Sequence, residues 1–366
     1  MDLAGFRDQF PALADSTWLN TATAPPAARP VAEALRRVQR EWETGDFAWT
    51  DWESEAYATR PMFADLIGVD ADEVALASSV SYAAATVASS LSPGRIVVGA
   101  REFRSNYFPW VALADRGFEI AEVPADDRGV VTTDALLEHV TEGALVAVSE
   151  VQSSNGYRVD LPRLARETHS RGGRVFVDLC QSVGCLRFDA GDLRVDYAAA
   201  HGYKWLLGPR GAAWLYVRRD HVDECRPITP SWKSPEDPYA EYYGGPLEYA
   251  KTARKLDVSL AWFSWPGARA ALELLAELDP LAVEERALGL ARAFRKGAEE
   301  RGLPLPPEEA PSHIVGVEVS DAADLQQRLR EQRVVAAVRG GFLRIGFHGF
   351  NNEEDVERGL AALDRA

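Results

Sequence analysis

Lys204 stands in "HGYKWLLGPRG" (201 to 211), between aromatic residues and just ahead of a Gly-Pro turn, directly after the apolar run "VDYAAA". A lysine there has two readings. Its stem can lie along apolar surface with the head in water, or the amine can be desolvated, with a lowered pKa that makes it a nucleophile. Two further features bear on the choice. Asp178 follows the apolar run "RVFV", with Gln181 three residues on, where a buried, paired carboxylate would sit. Ser78, Ser79 and Ser81 precede the helix-like "YAAATVASSL", so hydroxyls and free amides at a helix start could hold a phosphate, or could simply cap the helix. A reactive amine, a strand-end carboxylate and a phosphate turn together suit pyridoxal phosphate. That cofactor needs a lysine for its aldehyde, a carboxylate against its ring nitrogen and an anchor for its phosphate.

These residues need a scaffold. Short β-branched runs, "RIVVGA", "ALVAVSEV" and "GRVFVDLC", alternate with amphipathic stretches such as "LPRLARETHSRG". Such alternation predicts an α/β fold with a mainly parallel sheet covered by helices. Ligands of such sheets bind beyond the carboxyl ends of the strands, where Asp178, His201, Tyr203 and Lys204 fall. Past about 255 the texture changes to long helical stretches, a break at "GLPLPPEEAPS", then mixed strand and helix. The expected division is a large cofactor-binding domain over 18–255 and a smaller α+β domain over 256–366, with 1–17.

The chain has 366 residues, 46% hydrophobic, with a formal net charge of −16. That charge argues against nucleic acid or an anionic membrane as partner. No apolar run approaches ~20 residues and the first twenty residues show no leader pattern, so a cytoplasmic location is expected. Three cysteines, Cys180, Cys185 and Cys225, are too few and badly spaced for a disulfide framework or a zinc site, and no metal is expected.

In order, the Ser-rich turn, "REFRSNYFPW", "SEVQSSNGYRVD", "VDLCQSVG", "HGYKWLLGPRG" and "LRIGFHGFNNEEDV" resemble the class V branch of fold type I pyridoxal-phosphate enzymes, which includes cysteine desulfurases, kynureninase and isopenicillin N epimerase. The resemblance runs from "WLNTATAPP" at 18 to the last helix. It implies Lys204 as the Schiff-base lysine, Asp178 at the ring nitrogen, and Gln181 near the ring hydroxyl. Ser79, Val80, Ser81, His201 and Tyr203 would surround the phosphate. Phe103 stands where many relatives stack a histidine on the ring, and Ser153 where desulfurases have an asparagine. Arg344 corresponds to the clamp on a substrate carboxylate. Asn155 either contacts substrate or shapes a turn, and His348, close to Arg344 in sequence, is either structural or near the substrate. The resemblance also implies a homodimer with shared active sites, to which Tyr242, Tyr243 and Ser259 would contribute across the boundary. The aromatic stretch "WETGDFAWTDW" reads as a subunit contact or a substrate entrance.

One departure directs the functional expectation. Desulfurases carry a persulfide cysteine on a loop before the "L-R-I" strand, whereas this chain reads "VRGGFLRIGF", with almost no loop and no cysteine. The pattern is more similar to desulfurase-like lyases of bacterial secondary or thiol metabolism. A C–S β-lyase acting on an S-substituted cysteine is therefore expected. An aminotransferase or decarboxylation-coupled deaminase on a similar conjugate, or an epimerase, is the alternative.

Overall fold

The computed structural model describes residues 1–319 and 321–364. Its centre is a seven-stranded sheet: β2 (Val74–Ala77), β3 (Arg95–Gly99), β4 (Glu119–Val123), β5 (Leu145–Ser149), β6 (Arg174–Asp178), β7 (Tyr197–His201) and β8 (Ala213–Val217), in spatial order β2-β8-β7-β6-β5-β3-β4. Strands β3 to β7 run parallel, and only β8 opposes its neighbours. β1 (Thr17–Trp18) lies outside this sheet.

Alternation along the strands explains why the sheet is covered twice. Val175 and Val177 of β6 enter one core with Val146, Val148, Ala198 and Trp214. Phe176 points the other way, into a core with Leu145, Ala147, Tyr197 and Leu215. Side chains on a strand alternate faces, so near-continuous apolar strands must be buried on both sides.

A smaller sheet is built from β9 (Ile314–Glu318), β11 (Ala337–Arg339) and β12 (Phe342–Gly346), all antiparallel, while β10 (Val334–Val335) pairs in parallel with β1. Its core joins Val315, Val317, Leu343 and Ile345 to Leu290 and Phe294 of the Pro280–Glu300 helix. Trp265, Ala268 and Leu272 of the Trp265–Ala276 helix pack into the first core of the large sheet, against the Arg29–Thr44 and Trp49–Leu66 helices. Phe6, Phe10 and Leu13 belong to that same core together with Phe350, and Arg7 pairs with Asp355. The helical pattern of these segments is correct; their apolar faces fit the larger sheet. Among the described residues no helix is long and apolar enough to cross a membrane, and no group of three His, Cys, Asp or Glu side chains is placed to hold a metal ion.

Candidate active site

The carboxyl ends of β5, β6 and β7 converge. Ser149, the last residue of β5, is the register partner of Asp178, the last of β6, and Asp178 pairs in turn with Ala199, two residues before the end of β7 at His201. The chain then turns back toward β8 through a loop closed by Gly202 N–H to Ala212 O (2.9 Å) and Gly208 N–H to Gly202 O (2.8 Å). Leu207 adopts a left-handed φ of 60° in that loop, and the turn sets Lys204 against the strand ends.

One cavity results, about 80 Å3, lined by all ten of the expected cofactor-site residues: Ser79, Val80, Ser81, Phe103, Ser153, Asp178, Gln181, His201, Tyr203 and Lys204. At ~10–15 Å3 per water it has room for roughly six waters, a space on the scale of a planar ring. Lys204 is 7% exposed, and its ammonium position lies 5.6 Å from the Phe103 ring centroid and 5.9 Å from that of Tyr203. Among the described residues its Nζ makes no hydrogen bond or ion pair. Burial lowers its pKa, the nearby Cys180 and Asp178 charges oppose that shift, and Arg344 adds to it. The desolvated-amine reading of Lys204 is the one the geometry favours.

Asp178 Oδ1 accepts the Cys180 N–H at 2.8 Å. Burial raises its pKa, while the Cys180 hydrogen bond and the Lys204 charge act in the opposite direction. Burial thus moves both the Lys204 and the Asp178 pKa toward the neutral forms. The Val80–Ser90 helix starts at this cavity with Ser79 as its N-cap, Ser79 Oγ accepting the Tyr82 N–H (3.2 Å) and lying 3.1 Å from Ser81 Oγ. Capping and anion binding are compatible here, because the first-turn amides of Val80 and Ser81 have no intrahelical acceptor. His201 stacks on Tyr203 with centroids 3.9 Å apart, and its Nδ1 is buried without a partner. Burial and the Lys204 charge hold His201 well below the usual imidazole range. An orphaned ring nitrogen, free helix amides, a buried carboxylate and an unpaired amine around one small cavity fit a phosphorylated, aldehyde-bearing pyridine.

Other expected residues take different places. Gln181 is held by Trp205 Nε1 donating to its Oε1 (2.8 Å), while its amide nitrogen donates to Ala22 O (3.1 Å) and Ser153 Oγ (3.0 Å). Arg344 lies behind the wall rather than in it. Its Nη1 donates to Ser153 O (2.5 Å) and Oγ (3.1 Å), its Nη2 to Thr23 Oγ1 (2.8 Å), and its buried Nε has no partner. Burial lowers its pKa to about 10. Asn155 does not reach the cavity. Its side chain accepts from Tyr157 N–H (3.1 Å) and donates to Gly129 O (3.1 Å), so it shapes the turn after β5. His348 is also remote from the cavity wall: Nδ1 accepts Gly349 N–H (2.7 Å), which assigns the proton to Nε2, donating to Trp205 O (3.0 Å). Burial lowers its pKa to about 4, and it stacks on Phe350. Tyr242, Tyr243 and Ser259 are exposed and line no part of this cavity.

Several residues were missed. Ser105, Ser149, Cys180, Arg210 and Gly211 complete the wall beside Ser78 of the expected serine turn, and the Arg210 guanidinium lies 5.2 Å from the Tyr203 centroid. Glu102 accepts Ser149 N–H (2.8 Å), Ser149 Oγ–H (2.5 Å) and Asn106 Nδ2–H (3.0 Å), tying the residue before Phe103 to the end of β5. The signal available was a carboxylate immediately beside the expected stacking residue.

The description "Aminotransferase class-V" matches residues 48–358, and the chain belongs to that family. It is an enzyme of the pyridoxal-phosphate lyase and transferase type, with pyridoxal phosphate as its cofactor. It is 29% identical over 365 residues to "Uncharacterized aminotransferase YcbU" of Bacillus subtilis (strain 168), covering 97% of this chain and 95% of that one. Its fold is that of the cysteine desulfurase CsdA from Escherichia coli, with TM-score 0.85 at 22% identity over 99% of this chain and 98% of that one. The cystine C-S lyase C-DES shares it too, with TM-score 0.82 at 22% identity over 97% and 99%.

Proposed function

We propose that the chain is a C–S β-lyase acting on an S-substituted cysteine. One observation carries the reading: β11 and β12 are joined only by Gly340 and Gly341, at φ 56° and 90°, so the segment leading to Arg344 is a two-residue turn with no loop to present a thiol. The chain's cysteines do not replace it. Cys180, Cys185 and Cys225 are all buried, and burial raises each thiol's pKa, leaving them protonated and weakly nucleophilic. Sulfur that cannot be taken by the protein must leave with its own substituent.

Lys204 would hold the cofactor, with Asp178 facing the ring nitrogen, Gln181 and Ser153 near the ring hydroxyl, Phe103 on its face, and Ser79, Val80, Ser81, His201 and Tyr203 around its phosphate. The bound cofactor supplies an electron sink that acidifies the substrate's Cα–H. Arg344, whose guanidinium stands directly behind Ser153, would orient the substrate carboxylate by exchanging its Ser153 and Thr23 hydrogen bonds for that carboxylate. The Lys204 amine, whose pKa burial lowers, would take the proton from Cα, the Cβ–S bond would break with its electron pair going to sulfur, and the sulfur would leave as a thiol. The remaining three-carbon fragment, 2-aminoacrylate, adds water and yields pyruvate and ammonia, so the balance is one conjugate and one water to thiol, pyruvate and ammonia. Exposed aromatics at Trp42, Tyr242, Tyr243 and Phe263 support a homodimer in which Tyr242, Tyr243 and Ser259 approach the neighbouring site.

The test is to incubate the holoenzyme with S-alkyl and S-aryl cysteines and measure thiol, pyruvate and ammonia, with and without a 2-oxo acid acceptor. Equimolar thiol and pyruvate without acceptor support the lyase. Turnover that requires the acceptor and leaves the C–S bond intact makes the chain an aminotransferase instead.

A further inference from the structure

The ends of β6 and β7 opposite the active site frame a second cavity, about 690 Å3, lined by four arginines, Arg166, Arg174, Arg194 and Arg218, with His169 and His221. Only two acids, Asp192 and Asp196, line it, so its wall carries a formal +2 with both imidazoles neutral, in a chain whose net charge is −16. Four residue steps along β6, ~13 Å, separate Arg174 from Asp178, so this cavity is distinct from the cofactor site.

Its floor is built. Asp196, 1% exposed, uses both oxygens: Oδ1 meets His221 Nε2 (2.9 Å) and Arg218 Nη1 (2.8 Å), and Oδ2 meets His169 Nε2 (2.9 Å) and the Val175 N–H (2.8 Å). That carboxylate, held well below its usual pKa range by these partners against the cost of burial, has no capacity left. Polar capacity is unspent elsewhere: buried His221 Nδ1 makes no hydrogen bond and has only Glu224 Oε1 at 3.9 Å, and Arg218 Nε is likewise buried without a hydrogen bond, 3.6 Å from Asp220. At the rim, Arg174 is paired to Glu224 and Arg218 also approaches Asp220, whereas Arg166 and Arg194 form no ion pair among the described residues. Arg194 holds a left-handed φ of 53°, unusual for a residue with a side chain. Pro162 and Leu193 supply an apolar strip between the charges.

We infer that this cavity binds a small multivalent oxyanion, a phosphate-bearing or polycarboxylate metabolite, through the free guanidiniums of Arg166 and Arg194 over the His169–Asp196–His221 floor. Planar guanidiniums suit oxyanions of either type because each can donate two parallel N–H bonds.

Titration calorimetry of the holoenzyme at low ionic strength, with inorganic pyrophosphate in one arm and citrate in the other, tests this. The phosphate turn is filled in that protein, and a Ser81→Ala control reports any residual binding there. Saturable binding of one anion per chain is expected, weakening with salt. It should fall at least tenfold in the double variant Arg166→Gln, Arg194→Asn, with turnover unchanged. Binding in only one arm assigns the source as phosphate or carboxylate. Absence of binding in both arms, or equal binding by the double variant, overturns the inference.

Discussion

Replacing Glu102 by glutamine should flatten the pH dependence of stability over a defined window. The Glu102 carboxyl is pushed up to about 7 from 4.5, first by burial and also by the Asp178 charge, against the hydrogen bonds from Ser149 and Asn106. A raised carboxyl binds its proton more tightly in the folded than in the unfolded chain, so the folded state carries more protons between about pH 4.5 and 7. Stability therefore falls as pH rises through that window. The gap between 4.5 and about 7, at 1.36 kcal/mol per pH unit, is worth about 3 kcal/mol at most. Glu102 keeps some contact with solvent, so ~1–3 kcal/mol is the working range. Glutamine has the same shape and can still accept the Ser149 N–H, but it cannot titrate. Urea unfolding of both cofactor-free proteins from pH 5 to 8 reads the difference. The wild type should lose ~1–3 kcal/mol relative to Glu102→Gln across that range. Parallel profiles would refute a strained carboxyl at the end of β5.

Lys233, fully buried, pairs with the equally buried Glu53 and lies 3.6 Å from the Trp232 ring centroid. Lys233→Met should cost ~3–5 kcal/mol in urea unfolding by stranding a buried carboxylate, and adding Glu53→Leu should recover most of it. Gly341→Ala should cost ~1–3 kcal/mol because its φ of 90° disfavours any side chain, and thermal melts should report the loss without a change in cofactor content. Arg344→Lys keeps the charge but loses the fork, so kcat/KM for amino-acid substrates should drop about ten- to hundredfold, ~1.5–3 kcal/mol, at unchanged cofactor occupancy. Equal efficiency would place the carboxylate elsewhere.

The cofactor side of the site was legible because its residues sit where apolar strands stop: Asp178 and His201 close β6 and β7, and Lys204 follows within the same turn. Polar residues at such ends have one place to go. The substrate side was less legible. His348 is four residues from Arg344, yet the chain leaves β12 after Gly346 and tucks the imidazole under Trp205. Asn155 looked equally able to reach a ligand or close a turn, and the Gly129 carbonyl, distant in sequence, decided for the turn. Glu102 carries no mark in the sequence, since its significance depends on Ser149 arriving from β5, and Arg210 meets Tyr203 only because the loop after β7 folds back on itself. The Trp265–Ala276 helix was recognisable by its pattern, but periodicity does not say which sheet a helix covers.

Every role proposed for the cavity depends on Lys204 holding the cofactor covalently. Borohydride reduction of the purified holoenzyme, followed by proteolysis and peptide mass analysis, tests it directly. The reduced pyridoxyl group is expected on the peptide containing Lys204, and Lys204→Ala should show no such adduct while still taking up the cofactor noncovalently. A stoichiometric adduct on another lysine, Lys233 or Lys255 for example, would contradict the assignment of this cavity as the active site.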